Sequence, residues 1–189
     1  MANREKIYEL YRIRKGEIEK IYELYKIKRI KNKAYIEQLG ERIITIRAKT
    51  LVNLQKAMES TIGEEEAKAL LYDAFINMGR STAKVIYRKW KEKGKIFLKK
   101  LMEFYDSRGC GWFKLENLDI DYEKLEGNIR IRQSFIAEEY GKSEKPICDP
   151  LAGYFVGLFE EIFKKEFMCK EIKCIAKGDK YCEFKIKAI

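Results

Sequence analysis

The sequence contains no histidine among its 189 residues. Without an imidazole, this chain alone can form neither a Ser-His-Asp triad nor a Cys-His nucleophile, and it offers no His ligand for haem or for a zinc hydrolase site. Any metal ion must therefore be held by cysteine thiolates and carboxylates.

Proline and long apolar runs are also scarce. Two prolines, against 46% hydrophobic and 13% aromatic residues, exclude a disordered chain. The longest apolar run, residues 151–159, is about nine residues long and is interrupted by glycine. Because a membrane-spanning helix needs roughly 20 apolar residues, we expect no membrane span.

The five cysteines are an odd number, and no basic-plus-apolar leader opens the chain. We therefore expect reduced thiols and a cytoplasmic location rather than a secreted disulfide framework. The abundance of Glu, Lys, Ile and Tyr is typical of hyperthermophile proteins, so we expect a thermophilic source.

Positive charge is concentrated at the front of the chain. Residues 1–33 hold 11 Lys/Arg and 5 Asp/Glu, which is +6 of the total +10. The run from Ile7 to Ile13 recurs fourteen residues later, and this spacing favours an amphipathic helix, although Gly16 also allows a hairpin. We predict that residues 1–38 form a basic, helical extension for packing or homodimerisation through the face that includes Ile7, Leu10, Ile21 and Leu24. The alternative is an arm for nucleic acid or anionic membranes, but the interleaved Glu residues argue against nucleic acid as a partner.

Residues 39–189 form the predicted body. After a short strand at Ile43, Ile44 and Ile46, helical spacing dominates to about residue 104, with caps at Thr50 and at the Thr61-Ile62-Gly63-Glu64 box and an end at Gly94. Alternating residues then predict strands around a Gly127 turn, a helix opened by Pro150, and a hairpin about Lys177-Gly178-Asp179. This order predicts an α+β fold of helices packed on an antiparallel sheet.

Three cysteines bracket the last predicted helix and hairpin. Cys148 precedes the helix, Cys174 ends the first strand, and Cys182 begins the second. Zinc prefers four ligands, thiolates above all, so these cysteines are candidate metal ligands. Since no C-x-x-C pair occurs, burial as small apolar side chains is the alternative. Cys110 and Cys169 have no evident partner.

At these residues the chain resembles the 4-vinyl reductase domain, a small-molecule-binding module that stands alone in archaea and serves as the sensor domain of bacterial activators responding to aromatic compounds. The resemblance covers about 150 residues and excludes residues 1–38. Its most specific stretches are Ser134-Phe135-Ile136-Ala137-Glu138, Cys148-Asp149-Pro150-Leu151-Ala152-Gly153 with Gly157, Glu171, and Cys174-Ile175-Ala176-Lys177-Gly178-Asp179-Lys180-Tyr181-Cys182-Glu183-Phe184.

The resemblance implies a ligand-binding fold akin to haem nitric-oxide sensors and vesicle-tethering subunits, often dimeric. It also implies a structural zinc held by Cys148, Glu171, Cys174 and Cys182. The odd separation of Glu171 and Cys174 places them on opposite faces of a regular strand, so Glu171 can join only where the strand is bulged or ends. A water, Asp149 or Cys169 are the alternative fourth ligands.

A pocket for an apolar or aromatic ligand is expected close to these motifs. The candidates, each of which is also a candidate core residue, are Trp112, Phe135, Tyr154, Phe155 and Tyr181. We predict a zinc-containing sensor or regulatory protein. The alternative implied by the family's name is an enzyme, or accessory factor, that reduces a vinyl group on a tetrapyrrole-like substrate, but no G-x-G-x-x-G fingerprint provides a seat for a hydride donor.

Overall fold

The computed structural model describes residues 28–29, 36–38, 41–90, 92–108 and 111–189. The chain divides into two compact units, Met1–Ile44 and Thr45–Ile189. The predicted helix over residues 7–27, with its dimerisation face, and Cys110 lie outside the described residues.

The described residues of the first unit form three short antiparallel strands: β1 (Lys28–Arg29), β2 (Ile36–Gln38) and β3 (Glu41–Ile43), in that order. Parts of the predicted helical extension are therefore strands. Of the three isoleucines predicted to form a strand, only Ile43 lies in β3, whereas Ile44 and Ile46 follow it and are exposed.

The second unit begins with three helices: α1 (Ala48–Ile62), α2 (Glu64–Lys89) and α3 (Gly94–Arg108). The predicted capping box is wrong, because Thr61 lies in the last turn of α1 and its hydroxyl donates to the Ala57 carbonyl at 2.7 Å. Gly63, with φ of 98°, separates α1 from α2. Gly94 begins α3 rather than ending the preceding helix.

Four antiparallel strands follow, namely β4 (Lys114–Asp121), β5 (Glu126–Arg132), β6 (Phe167–Lys173) and β7 (Cys182–Ala188), in the spatial order β4-β5-β7-β6. The turn between β4 and β5 lies at residues 122–125, so Gly127 belongs to a strand and not to a turn. The predicted hairpin between β6 and β7 is present. It contains a 3-10 helix (Ile175–Lys177) capped by Gly178, which has φ of 97°.

Helices α4 (Phe135–Tyr140) and α5 (Asp149–Phe163) lie between β5 and β6 in the sequence. Every residue of α5 from Pro150 to Phe159 is buried. One side of α5 packs on the sheet, where the rings of Phe155 and Phe184 lie 5.2 Å apart. The predicted α+β fold, with helices packed on an antiparallel sheet, is confirmed.

Glycines allow the other side of α5 to contact α2 backbone to backbone. A Cβ atom at Gly153 would lie 2.2 Å from the Tyr72 carbonyl oxygen, and one at Gly157 would lie 2.0 Å from that of Ile76. From α2, a Cβ at Gly79 would meet the Tyr154 carbonyl oxygen at 2.2 Å. The two helices therefore touch at a distance that no larger residue permits.

Among the described helices, none has both the length and the apolar character that crossing a bilayer requires.

Replacing Gly157 with alanine is expected to force α2 and α5 apart, because the added methyl group meets backbone atoms that cannot rotate away. We expect the Gly157→Ala variant to lose about 3 kcal/mol of stability, which corresponds to a fall in melting temperature of about 6–12 °C by calorimetry. Ser81→Ala, on an exposed position of α2, is the control and should change the melting temperature little. Equal melting temperatures for the two variants would contradict the packing described.

Candidate metal centre and aromatic cluster

Four buried side chains with metal-ligating atoms converge where α5 begins. Cys148 caps the N-terminus of α5, Glu171 lies in β6, Cys174 follows β6, and Cys182 begins β7. One ligand atom from each lies within 4.8 Å of all the others. The Cys148 and Cys182 sulfur atoms are 3.9 Å apart, and two thiolates on a tetrahedral zinc, with Zn–S bonds of about 2.3 Å, are about 3.8 Å apart.

A β-bulge brings Glu171 into this group. Opposite β7, Glu171 pairs with Phe184 but Lys173 pairs with the adjacent Glu183, so Ile172 is the extra residue. The bulge reverses the alternation of side chains just before Cys174. The odd separation of Glu171 and Cys174 is thereby reconciled with both side chains lying on the same side of the sheet.

Only one of the two oxygen atoms of the Glu171 carboxylate is hydrogen-bonded by the protein. Its Oε2 atom accepts a hydrogen bond from the Cys148 backbone N–H at 2.9 Å. Its Oε1 atom is buried and has no hydrogen-bond partner among the described residues. Burial, reinforced by the negative charge at Cys174, raises the pKa of Glu171 to about 8. Because buried oxygens are almost always paired, an unpartnered oxygen on a carboxylate grouped with three thiols fits a side chain that can bind a cation.

Among the three thiols, the ionised form is favoured at Cys174. Hydrogen bonds from the Cys148 and Cys182 side chains lower the pKa of Cys174, whereas burial raises the pKa of Cys148. Outer partners orient the sulfurs: the Ile175 backbone N–H donates to the Cys182 sulfur at 3.4 Å, and the Ser134 hydroxyl lies 3.5 Å from the Cys148 sulfur. Hydrogen-bond partners of this kind, which contact the ligand atoms from outside the group, are typical of metal sites in proteins.

The alternative fourth ligands lie elsewhere. The Asp149 carboxylate is 3.6 Å from the Lys68 ammonium. Cys169 is buried on β6, two residues before Glu171, and does not belong to the group of four. The described residues thus bring together the four that the resemblance implied.

Three of the five predicted pocket residues form one aromatic cluster. The Trp112 ring lies 5.4 Å from that of Tyr154 and 5.9 Å from that of Phe135. Phe75 of α2 completes the cluster, 5.7 Å from Trp112. The Tyr154 hydroxyl is hydrogen-bonded to the Tyr105 hydroxyl at 2.5 Å, which places a buried polar pair at the edge of the rings.

The other two predicted pocket residues have different surroundings. The Phe155 ring adjoins the cluster, 6.2 Å from that of Tyr154, but it is completely buried between Phe113 and Phe184 in the core. Tyr181 lies with charged side chains: the Arg130 guanidinium is 4.1 Å from its ring centroid, and the Lys173 ammonium is 2.9 Å from its hydroxyl.

Sequence reasoning missed Phe75, Tyr105 and Ser134. A usable signal existed for Tyr105, because Phe97, Leu101 and Tyr105 recur every four residues along α3 and all are buried. Ser134 was part of a matched motif, but its contact with Cys148 depends on how α4 and α5 meet.

Comparison with known proteins places this geometry in a family. A V4R domain profile matches residues 128–188. The uncharacterized protein MJ1460 of Methanocaldococcus jannaschii is 31% identical over 126 residues, which cover 64% of this chain and 74% of that protein. A second protein of that organism, MJ0745, is 46% identical over 46 residues, which cover 24% of this chain and 25% of the relative.

Solved structures share the fold. The phenol-responsive sensory domain of the transcription activator PoxR, crystallised with phenol, has a TM-score of 0.77 at 17% identity, with 93% of this chain and 92% of that chain covered. A vinyl-4-reductase family protein from Methanocaldococcus jannaschii has a TM-score of 0.52 at 21% identity, covering 80% and 86%. A trafficking protein particle complex subunit 3 from Naegleria fowleri, covalently bound to palmitic acid, has a TM-score of 0.55 at 12% identity, covering 75% and 95%. The chain belongs to the V4R domain family.

Proposed function

We propose that this protein is a zinc-containing sensor that binds a small apolar or aromatic molecule in the cytoplasm. The observation that carries the proposal is that Ser134 and Phe135 connect the candidate metal centre directly with the aromatic cluster. Ser134, 3.5 Å from the Cys148 sulfur, directly precedes Phe135, whose backbone N–H donates to the Trp112 carbonyl at 2.9 Å. The shared fold with a phenol-responsive sensory domain supports the same conclusion.

The donor set favours zinc. Three thiolates and one carboxylate in a buried, roughly tetrahedral group suit Zn²⁺, whereas Mg²⁺ and Ca²⁺ prefer oxygen ligands. Four protein ligands leave no open position for water, so the role is structural. Bound zinc would tie the N-terminus of α5 to the β6–β7 hairpin, and its charge would satisfy the Glu171 Oε1 atom.

The aromatic cluster is the proposed ligand site. Rings from α2, α5 and the segment around Trp112 and Phe135 provide apolar faces, and aromatic pairs favour tilted arrangements such as those seen here. The hydroxyl pair of Tyr105 and Tyr154 offers both a donor and an acceptor in an otherwise apolar place. A ring carrying one hydroxyl group matches this combination.

The metal ligands are tested by Cys174→Ser. We expect zinc, measured by elemental analysis, to fall from one ion per chain to nearly none, and stability to fall by about 3 kcal/mol or more, because a structural metal contributes to folding directly. Cys169→Ser is the matched control, since it changes a buried cysteine of β6 outside the group and should keep its zinc. Cys110→Ser should also keep it. Equal zinc contents in the Cys174 and Cys169 variants would contradict the assignment.

The ligand site is tested with phenol and toluene as probes, using calorimetric titration. We expect the protein to bind both, and we expect Tyr154→Phe to weaken phenol binding about 10-fold through loss of one hydrogen bond while leaving toluene binding nearly unchanged. Tyr181→Phe, remote from the cluster, should affect neither probe. Absence of binding to either probe at millimolar concentration would contradict this site.

A further inference from the structure

Helix α1 carries a side-chain amide on its buried face. Gln55 is 7% exposed, and Val52, one turn earlier on the same face, is 1% exposed. Burying an amide is unfavourable unless its polar atoms are hydrogen-bonded. An apolar side chain would suit this position better than glutamine, unless the amide has specific partners there.

The partners of the Gln55 amide nitrogen are both acceptors. The nitrogen donates to the Glu59 carboxylate at 3.0 Å, within α1, and to the backbone carbonyl oxygen of Ile147 at 3.1 Å. The Tyr140 hydroxyl donates to the other oxygen of Glu59 at 2.6 Å, which holds that carboxylate in place. Because both neighbours accept hydrogen bonds, the position requires a side chain that donates twice, as the amide nitrogen does.

The Ile147 carbonyl belongs to a peptide group that also faces the candidate metal centre. The same peptide group contains the Cys148 N–H, which donates to the Glu171 Oε2 atom at 2.9 Å. A peptide group is planar and rigid, so its carbonyl oxygen and its N–H turn together. The hydrogen bond from Gln55 on one side therefore helps to set the direction of the hydrogen bond to Glu171 on the other.

The backbone N–H of Ile147 contacts the centre as well. The pKa of Cys174 is lowered first by hydrogen bonds from the Cys148 and Cys182 side chains, and further by a hydrogen bond from the Ile147 N–H. Residues 147–148 thus bind two candidate ligands, Cys174 and Glu171, and supply a third, Cys148. Gln55 holds this short segment from the side of α1.

We propose that Gln55 is a positioning residue of the candidate metal centre. It acts through the backbone: by fixing the peptide group between Ile147 and Cys148, it holds the Cys148 sulfur and the Glu171 carboxylate in the places where they bind the metal ion. This inference rests on the proposed function, because Gln55 can position the centre only if the four ligands bind a metal. It also connects the centre with α1, the first helix after the boundary between the two units in the sequence.

The test is Gln55→Met in the full chain, which removes the donor with little change in side-chain volume. Partners outside the ligand group are typically worth a factor of 10–100 in metal affinity. We therefore expect zinc affinity, measured by competition with a chelator, to fall about 10–100-fold. We also expect the visible spectrum of the cobalt(II)-substituted protein to change, because that spectrum reports the arrangement of the ligands around the metal.

Val52→Ala is the matched control, because it removes buried apolar atoms from the same face of α1 and leaves the donor to the Ile147 carbonyl in place. Both variants should melt at a lower temperature than the parent protein. Only Gln55→Met should change the zinc affinity and the cobalt spectrum. Metal binding that is unchanged in Gln55→Met, or reduced equally in the two variants, would overturn the proposal.

A second measurement separates this proposal from the zinc assignment. Hydrogen exchange of the Cys148 amide, followed by NMR on the protein as purified, should be about 10-fold faster in Gln55→Met than in the parent, because the peptide group has lost one hydrogen bond. A parent protein that takes up no zinc but shows this difference would contradict the zinc site and uphold the hold of Gln55 on the peptide group. Equal Cys148 exchange rates in the parent and in Gln55→Met would overturn the proposal.

Discussion

The rest of the second unit depends on the close contact between α5 and α2. A helix that is buried along most of its length must touch its neighbours on every side, and Gly153 and Gly157 allow α5 to approach the α2 backbone directly. The opposite side of α5 is thereby held against the sheet through Phe155. With α5 fixed between two layers, the positions of Cys148 at its start and Tyr154 in its second turn are fixed as well.

The candidate metal centre at the start of α5 places polar side chains in a buried position. Burying a carboxylate beside three thiols is unfavourable, and the protein itself hydrogen-bonds only one of the two Glu171 oxygens. A divalent cation with thiolate preference would offset that burial and would join the start of α5 to the β6–β7 hairpin. This small group of side chains connects the sheet with α5 and, through Ser134, with the aromatic cluster that we propose as the ligand site.

Sequence reasoning predicted the order of the later elements well and the ligand geometry only in part. The strong alternation in β7 and the Lys177-Gly178-Asp179 turn identified the last hairpin, and Pro150 correctly marked the start of α5. The placement of the cysteines suggested three candidate ligands, but Glu171 came from a family resemblance. No local signal locates the bulge at Ile172, because it exists only in the pairing of β6 with β7.

Other predictions were wrong where neighbours distant in sequence decide the outcome. Tyr181 was selected for its proximity to a motif, yet its side chain packs with Arg130 and Lys173 from neighbouring strands. The predicted capping box was wrong because the Thr61 hydroxyl donates to a carbonyl inside α1. Gly63, with its positive φ, makes the break between the two helices instead.

The central claim is that three cysteines and one glutamate of this chain hold a zinc ion. X-ray absorption at the zinc edge of the purified protein tests it most directly, because the spectrum reports the number, type and distance of the metal's ligands. The account predicts one zinc per chain with three sulfur ligands at about 2.3 Å and one oxygen ligand at about 2.0 Å. A zinc surrounded only by oxygen ligands, or protein that takes up no zinc when folded with an ample supply, would contradict it.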